Sequence, residues 1–254
     1  MRRADPWITR SFDYPHARVR IRFFRIPAWE GSPAAREHAA LAWQRPGEFT
    51  LEPMLPANSP VLAALALPDE YAISDAAGMG AAAFLDALER RLGAGLRLVQ
   101  LRDKQLAPAA RARLFRDAAA LCDAVGARLL LNADPEEAAL LGAAGLHLST
   151  DRLMRTAVRP RFALVGASCH DAGELAHAAA LPVDFAVLGP VQPTTSHPGA
   201  PALGWPAFSA LLEDCPIPVF AIGGLAAADL ALARHHGAHG IAMIRGAWNQ
   251  ASGS

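Results

Sequence analysis

The chain has 254 residues, of which 52% are hydrophobic and 19% are charged, so it can bury a sizeable core and is not a disordered protein. Its 24 basic and 24 acidic side chains leave no formal net charge, which argues against nucleic acid or an anionic membrane as a partner. No apolar stretch approaches the roughly 18 residues of a membrane span, and the sequence near Met1 lacks a signal-peptide core. We therefore expect a cytoplasmic protein. Three widely spaced cysteines argue against a disulfide framework: Cys122, Cys169 and Cys215.

The composition changes near residue 68, where we place a domain boundary between residues 1–68 and 69–254. The first part carries 9 arginines and 6 acidic residues, whereas the second is dense in alanine, leucine and glycine. Residues 19–26 (VRIRFFRI) predict a strand, and residues 55–70 predict a short helix that Pro68 ends. The first part alone thus predicts little regular structure.

From Tyr71 onward, short apolar runs alternate with helical segments about every 22 residues. Such a pattern predicts a parallel sheet covered by helices. Eight strands in about 176 residues favour a compact (β/α)₈ barrel, a TIM barrel of the α/β class, with little helix after the eighth strand. A doubly wound sheet is the alternative, but no GxGxxG follows the first strand. The eight runs are 71–75, 96–102, 128–133, 145–150, 163–169, 185–191, 218–224 and 240–246.

Polar residues cluster at the carboxyl ends of these strands, where barrels of this class carry their chemistry. Gln100, Arg102 and Lys104 alternate along the second strand, so all three should face the same side. Lys104 is the only lysine of the chain. These side chains predict a cationic, hydrogen-bonding lining, with an ion-pair lattice between strands as the structural alternative.

The exits of the last two strands predict a phosphate cradle. Gly223 and Gly224 let backbone N–H groups approach an anion, and Arg245 with Gly246 would close the other side. The hydroxyl-rich loop 190–201 is typical of a mobile lid, although an ordinary surface loop has the same composition.

Five histidines of the predicted barrel differ from one another by position. His170 ends the fifth strand and has a side chain suited to proton transfer near neutral pH. His147 lies within a strand, where we expect it to hydrogen-bond inside the barrel. His235, His236 and His239 follow the seventh helix and are expected to be solvated.

Taken together, the strand ends resemble the thiamine-phosphate synthase and thiazole tautomerase superfamily over residues 69–248. The matching segments are YAISD (71–75), VQLRDK (99–104), LLLNAD (129–134), GLHLS (145–149), GASCH (166–170), VLGPVQPTTSHPGAPALGW (187–205), PVFAIGGL (218–225) and GAHGIAMI (237–244). The resemblance implies a barrel that binds a thiazole phosphate. In synthases the thiazole nitrogen attacks a pyrimidine diphosphate, which loses pyrophosphate. It also implies that the diphosphate is bound by Gln100, Arg102 and Lys104, and that substrate or phosphate contacts come from Asn132, Thr194, Thr195 and His197.

The sequence departs from the synthase pattern at the positions that bind Mg²⁺. Synthases read Asn-Asp where this chain has Asn132-Ala133, and a second family aspartate falls on Arg152. His197 stands where the family has a lysine. Asp134 and Asp151 remain as weak metal candidates, and losing the family carboxylates weakens synthase chemistry.

The tautomerase branch also lacks metal ligands and uses a histidine at the end of the fifth strand, which falls on His170. We therefore place first a metal-independent proton transfer by His170 on a thiazole phosphate. The alternatives are thiamine-phosphate synthesis with altered Mg²⁺ ligands, and a non-catalytic phosphate-binding barrel attached to a Nudix module.

Residues 8–66 resemble the C-terminal half of a MutT-type Nudix hydrolase. The resemblance implies that Asn58 contacts an oxidised purine, as in 8-oxo-dGTP diphosphatases. The Nudix box is absent from the chain, so we do not expect it to hydrolyse nucleotides. The strand at 19–26 would then be an orphan, which predicts loose packing or self-association and leaves a homodimer open.

Overall fold

The computed structural model describes residues 2–36, 40–52, 54–194 and 201–248, and shows a closed barrel preceded by a β-hairpin. Eight parallel strands form the barrel, and it closes where the last strand pairs with the first. The predicted (β/α)₈ class is confirmed. Barrel strands, in the order in which the chain enters them, are β3 (Glu70–Ile73), β4 (Leu98–Leu101), β5 (Arg128–Leu131), β6 (Gly145–Leu148), β7 (Leu164–Cys169), β8 (Phe185–Leu188), β9 (Val219–Ile222) and β10 (Gly240–Met243).

Eight of the nine helices in the described residues cover the outside of the barrel and carry apolar residues on their inner faces, whereas the first packs against Trp7 and Ile8 of the hairpin. Their bounds are α1 (Ser59–Leu65), α2 (Ala76–Met79), α3 (Ala81–Gly93), α4 (Pro108–Asp123), α5 (Pro135–Leu140), α6 (Thr150–Arg155), α7 (Ala172–Ala180), α8 (Gly204–Leu212) and α9 (Leu230–His235). Short 3₁₀ turns occur at Pro56–Asn58, Ala227–Asp229 and Arg245–Ala247. The predicted helix of residues 55–70 is confirmed as α1. No described helix is long and apolar enough to cross a membrane.

The inside of the barrel is filled with large side chains rather than left as a channel. Tyr71 is fully buried and meets the ring of Phe185 edge-on, at 5.1 Å between centroids. Gly166 on β7 makes this possible, because a Cβ there would lie 2.6 Å from the Phe185 ring. Packing therefore closes the barrel at its middle, and ligands can enter at the carboxyl ends of its strands.

The N-terminal hairpin differs from the predicted orphan strand. Strand β2 (Ala17–Ala28) pairs in antiparallel fashion with β1 (Arg3–Tyr14), a strand that the sequence pattern did not predict. The backbone N–H of Thr9 donates to the carbonyl of Cys215 at 3.0 Å, and Trp7 is buried. Because Cys215 precedes β9, the hairpin covers the amino-terminal ends of the barrel strands.

A buried histidine joins the hairpin to the barrel. The Arg25 guanidinium lies 4.3 Å from the Trp7 ring centroid and 2.7 Å from Nδ1 of His239. His239 Nε2 lies 3.1 Å from the carbonyl oxygens of Leu67 and Pro68. Burial, followed by the charge of Arg25, lowers the pKa of His239 to about 3. The expectation that His239 is solvated was wrong, because the hairpin covers it.

The three cysteines are free and buried, as their spacing predicted. Burial raises the pKa of the Cys122 thiol to about 12 and also raises that of Cys169. Buried thiols with such pKa values are unreactive, so they serve packing rather than chemistry.

Candidate active site

A cavity of about 760 Å³ opens at the carboxyl ends of the barrel strands. This volume lies within the usual range for small-molecule sites. Predicted site residues that line it are Gln100, Arg102, Lys104, Asn132, His170, Thr194, Gly223, Gly224, Arg245 and Gly246. The weak metal candidate Asp151 also lines it. Residues from all eight barrel strands or the loops after them thus meet in one place, as the barrel arrangement predicts.

Two predicted residues, Asn58 and Asp134, do not line this cavity, and two others are not described. Thr195 and His197 lie outside the described residues. Asn58 lies beside α1, where its amide contacts the Met54 sulfur at 3.6 Å, away from the cavity. The predicted lid loop 190–201 is described only in part, so its role stays a prediction.

The cationic lining comes from the end of β4 and the loop that follows it, since the strand ends at Leu101. Gln100, Arg102 and Lys104 face the cavity, whereas the intervening Asp103 is buried and points away. Asp103 accepts a 2.8 Å hydrogen bond from the backbone N–H of Ala77 and another from the Ser74 hydroxyl, which ties β3 to β4. The acidic residue of the motif therefore positions the loop and leaves the two cations for the cavity.

The two cations repel one another and are partly desolvated. Burial is the main cause that lowers the pKa of Lys104, and the charges of Arg102 and Arg152 add to it. Burial also lowers the pKa of Arg102. An anion bound between Arg102 and Lys104 would offset their mutual repulsion and replace the water that they have lost. These are the properties of a pair of cations that binds phosphate.

The floor of the cavity is a continuous hydrogen-bond network. The Asn132 amide donates to Gln100 Oε1 at 3.0 Å, and the Gln100 amide donates to the Tyr71 hydroxyl at 3.0 Å. The Tyr71 oxygen lies 3.1 Å from His147 Nδ1, and His147 Nε2 lies 2.9 Å from the Ser168 oxygen. Each buried polar group in this floor has a partner, so the network fixes the shape of the cavity.

His147 is confirmed as an internal hydrogen-bonding residue. Complete burial is the largest cause that lowers its pKa to about 3, and the charges of Arg102 and Lys104 contribute. The ring is therefore neutral at physiological pH, and one nitrogen accepts while the other donates. With Gln100 donating to Tyr71, the Tyr71 O–H is left to donate to Nδ1, and Nε2–H donates to Ser168.

His170 stands at the rim of the cavity, with a side chain that is 53% exposed. Its Nδ1 lies 3.0 Å from the Thr150 hydroxyl and 3.1 Å from a carboxylate oxygen of Glu174. Asp171 caps α7 by accepting from the backbone N–H of Glu174 at 2.9 Å, which holds that glutamate in place. Glu174 was not among the site residues predicted from the sequence, although the Asp-x-x-Glu spacing at the start of a helix is a capping pattern that indicates such a contact.

The paired glycines are needed for packing as well as for ligand approach. Gly223 and Gly224 both have positive φ, of 109° and 66°. A Cβ on Gly223 would lie 2.6 Å from Pro190, and one on Gly224 would lie 2.9 Å from the Pro193 carbonyl oxygen. The loop after β9 therefore rests directly on the loop after β8, and only glycine permits this.

The residues present do not fit the metal site that the family resemblance implies. No three histidine, cysteine, aspartate or glutamate side chains come together as a metal site within the part of the chain that the structure describes. Asp134 instead forms a two-pronged ion pair with Arg152, at 2.7 and 3.2 Å. The hydrogen bond from Arg152 is the main cause that lowers the pKa of Asp134. We therefore derive no step through a protein-bound metal.

Comparisons with known proteins agree with this fold and cavity. The family model described as thiamine monophosphate synthase matches residues 70–247. A thiamine-phosphate synthase of Marinobacter nauticus is 33% identical over 186 residues, which cover 70% of this chain and 82% of the relative. One of Thioalkalivibrio sulfidiphilus is 35% identical over 162 residues, covering 62% and 77%.

Among solved structures, a thiamine phosphate pyrophosphorylase of Pyrococcus furiosus superposes with a TM-score of 0.58 at 22% identity. The superposition covers 69% of this chain and 85% of that structure, and it supports the barrel fold. The matched residues begin at the first barrel strand, so the N-terminal hairpin lies outside the family match. From the strand-end motifs, the closed barrel and these matches, we conclude that the chain belongs to the thiamine monophosphate synthase family.

Proposed function

We propose that the chain joins a pyrimidine diphosphate to a thiazole phosphate in thiamine biosynthesis. The observation that carries the proposal is that the pair Arg102 and Lys104 after β4 lines the same cavity as the glycine loop Gly223–Gly224 after β9 and Arg245 after β10. Two anionic substrates could thus be held across one cavity. The relatives are named thiamine-phosphate synthases, which favours this reaction over the tautomerase activity that the sequence placed first.

In the proposed step the thiazole ring nitrogen attacks the methylene carbon of the pyrimidine. The new C–N bond forms as the C–O bond breaks, and pyrophosphate leaves with the bonding electrons. Lys104 and Arg102 would stabilise the negative charge that grows on the departing oxygen. The neutral floor of Gln100, Asn132 and His147 would orient the substrates. The family in general uses Mg²⁺, but the described residues form no protein site for it, so no step of the proposed reaction is routed through a metal.

The test is the formation of thiamine phosphate and the release of pyrophosphate by the purified chain. Lys104→Met keeps the stem but removes the charge, and we expect kcat to fall about 100-fold or more. Arg113→Met is the matched control, because Arg113 is 83% exposed on α4, and it should retain full activity. Wild-type activity in Lys104→Met, or no product from the wild type, would contradict the proposal.

A second candidate is the tautomerisation of a thiazole carboxylate phosphate by His170. It is favoured by the contacts of Thr150 and Glu174 to Nδ1, which fix the ring so that a ligand would exchange its proton with Nε2. Here His170→Ala should abolish turnover of the thiazole tautomer, whereas turnover that survives this change would exclude the candidate. Binding of a thiazole phosphate with neither activity would favour the non-catalytic barrel.

The Nudix resemblance of residues 8–66 stays a prediction. The hairpin of β1 and β2 and the position of Asn58 at the amino-terminal end of the barrel are compatible with a separate module on that side. Binding of an oxidised purine nucleotide that Asn58→Ala abolishes would support it. Neither a purine site nor a homodimer enters the proposed reaction.

A further inference from the structure

We propose that the Arg152 guanidinium takes the place of a protein-bound divalent cation beside the cavity, so that the site binds phosphate groups without a metal. The proposal rests on the proposed function only for the class of ligand, a diphosphate. Its geometric basis is that Arg152 already contacts the oxygen atoms that a cation would use at this edge of the barrel.

Three side-chain oxygens converge after β5. Arg152 Nη1 lies 3.3 Å from Asn132 Oδ1, Nε lies 2.7 Å from Asp134 Oδ1, and Nη2 lies 3.2 Å from Asp134 Oδ2. Oxygens of an amide and a carboxylate are the ligands that Mg²⁺ prefers. A metal ion at this position would have to displace the guanidinium from all three oxygens.

Such a displacement is unfavourable. The two-pronged contact between a guanidinium and a carboxylate is a strong form of charged hydrogen bond, and an arginine cannot lose its proton to make room. The Arg152 side chain is only 20% exposed, so a displaced guanidinium would lose its partner in a partly desolvated position. The positive charge at this position is therefore supplied by the Arg152 side chain itself.

The guanidinium also acts on the cavity. Asn132, which it contacts, is buried, lines the cavity and donates to Gln100. The positive charge of Arg152 adds to that of Arg102 around Lys104, while Asp134 and Asp151 oppose it. Three cationic side chains face two carboxylates, which leaves the cluster positive and attractive to a diphosphate without added metal.

The test is the calorimetric titration of the purified full chain with inorganic pyrophosphate, in EDTA and in excess Mg²⁺. We expect the two dissociation constants of the wild type to agree within about twofold. Arg152→Asp removes the guanidinium and adds a carboxylate next to Asn132 and Asp134. It should therefore bind pyrophosphate about tenfold or more weakly in EDTA and recover in Mg²⁺.

Two variants make the result specific. Arg155→Asp has the same change of charge on the same helix but at an exposed side chain, and it should keep the metal-independent binding of the wild type. Arg152→Met removes the charge and adds no oxygen ligand, so it should lose affinity in EDTA and recover less in Mg²⁺ than Arg152→Asp does. Direct titration with Mn²⁺ in the absence of pyrophosphate should show the tightest binding by Arg152→Asp and none by the wild type.

Wild-type binding that is tenfold or more tighter in Mg²⁺ than in EDTA would overturn the proposal, as would metal-independent binding by Arg152→Asp. These outcomes are separate from the proposed function. Metal-free pyrophosphate binding without condensation would refute only the reaction. Condensation with pyrophosphate binding that requires Mg²⁺ would refute only the role of Arg152.

Discussion

The buried histidine that joins the hairpin to the barrel should make the protein sensitive to acid, and His239→Gln tests this. Folding holds His239 neutral, with its pKa lowered to about 3, whereas an unfolded chain protonates it near 6.5. Between these values the unfolded state binds more protons, so stability falls as the pH falls below 6.5. At pH 5, about 1.5 pH units below the pKa of the unfolded state, protonation stabilises the unfolded state. At about 1.4 kcal/mol per pH unit, the free energy of unfolding falls by about 2 kcal/mol.

His147 is shifted in the same direction and adds a similar amount. We therefore expect the wild type to lose about 4 kcal/mol of its free energy of unfolding between pH 7.5 and pH 5 from these two groups. His239→Gln keeps an acceptor for Arg25 and a donor for the Leu67 and Pro68 carbonyls but cannot ionise. Its loss should be about 2 kcal/mol smaller.

Urea unfolding, followed by circular dichroism at the two pH values, measures this difference. His16→Gln removes an exposed histidine at the turn of the same hairpin and should keep the pH dependence of the wild type. An equal loss of stability in the wild type and in His239→Gln would show that the neutral buried ring does not determine the response to acid.

Three further changes test single contacts. Gly189→Ala would place a Cβ 2.2 Å from the Ile222 carbonyl oxygen, so we expect at least about 2 kcal/mol of destabilisation in a thermal melt, and a wild-type melting temperature would refute the close approach. Tyr71→Phe leaves two buried polar partners without its hydroxyl and should cost about 1–3 kcal/mol in urea unfolding; a neutral change would mean that the floor network is not cooperative. Asp171→Ala removes the cap that holds Glu174 and should lower the free energy of urea unfolding by about 1 kcal/mol. An unchanged free energy of unfolding would mean that the Asp171 side chain does not cap α7.

The barrel was predictable because each of its strands is a continuous apolar run between helical segments. Strand order needs no further information, since short right-handed connections allow few alternatives. The predicted lining of the cavity is found although β4 ends at Leu101: Gln100 lies on the strand, whereas Arg102 and Lys104 reach the cavity from the loop that follows. These inferences depend on local periodicity, which can be recognised directly in a sequence.

Contacts between distant segments were not predictable in this way. Strand β1 contains Pro6 and an irregular register, so it shows no clear alternation. The burial of His239 depends on Arg25 and Trp7, which lie more than 200 residues away along the chain. The contact of Arg152 with Asp134 likewise required the ends of two neighbouring strands to be placed in space, although the sequence already marked Arg152 as a departure from the family.

The position of the hairpin has a consequence for synthesis of the chain. Trp7 and Ile8 leave the ribosome well before the docking surface of their strand is complete, because Arg10 of the same strand donates to the carbonyl of Pro216, which lies 206 positions later. At about 5–20 residues per second, the hairpin waits about 10–40 s before its docking surface exists. During that interval its apolar face is open to chaperones and to neighbouring nascent chains, so translation speed sets how long this segment is vulnerable.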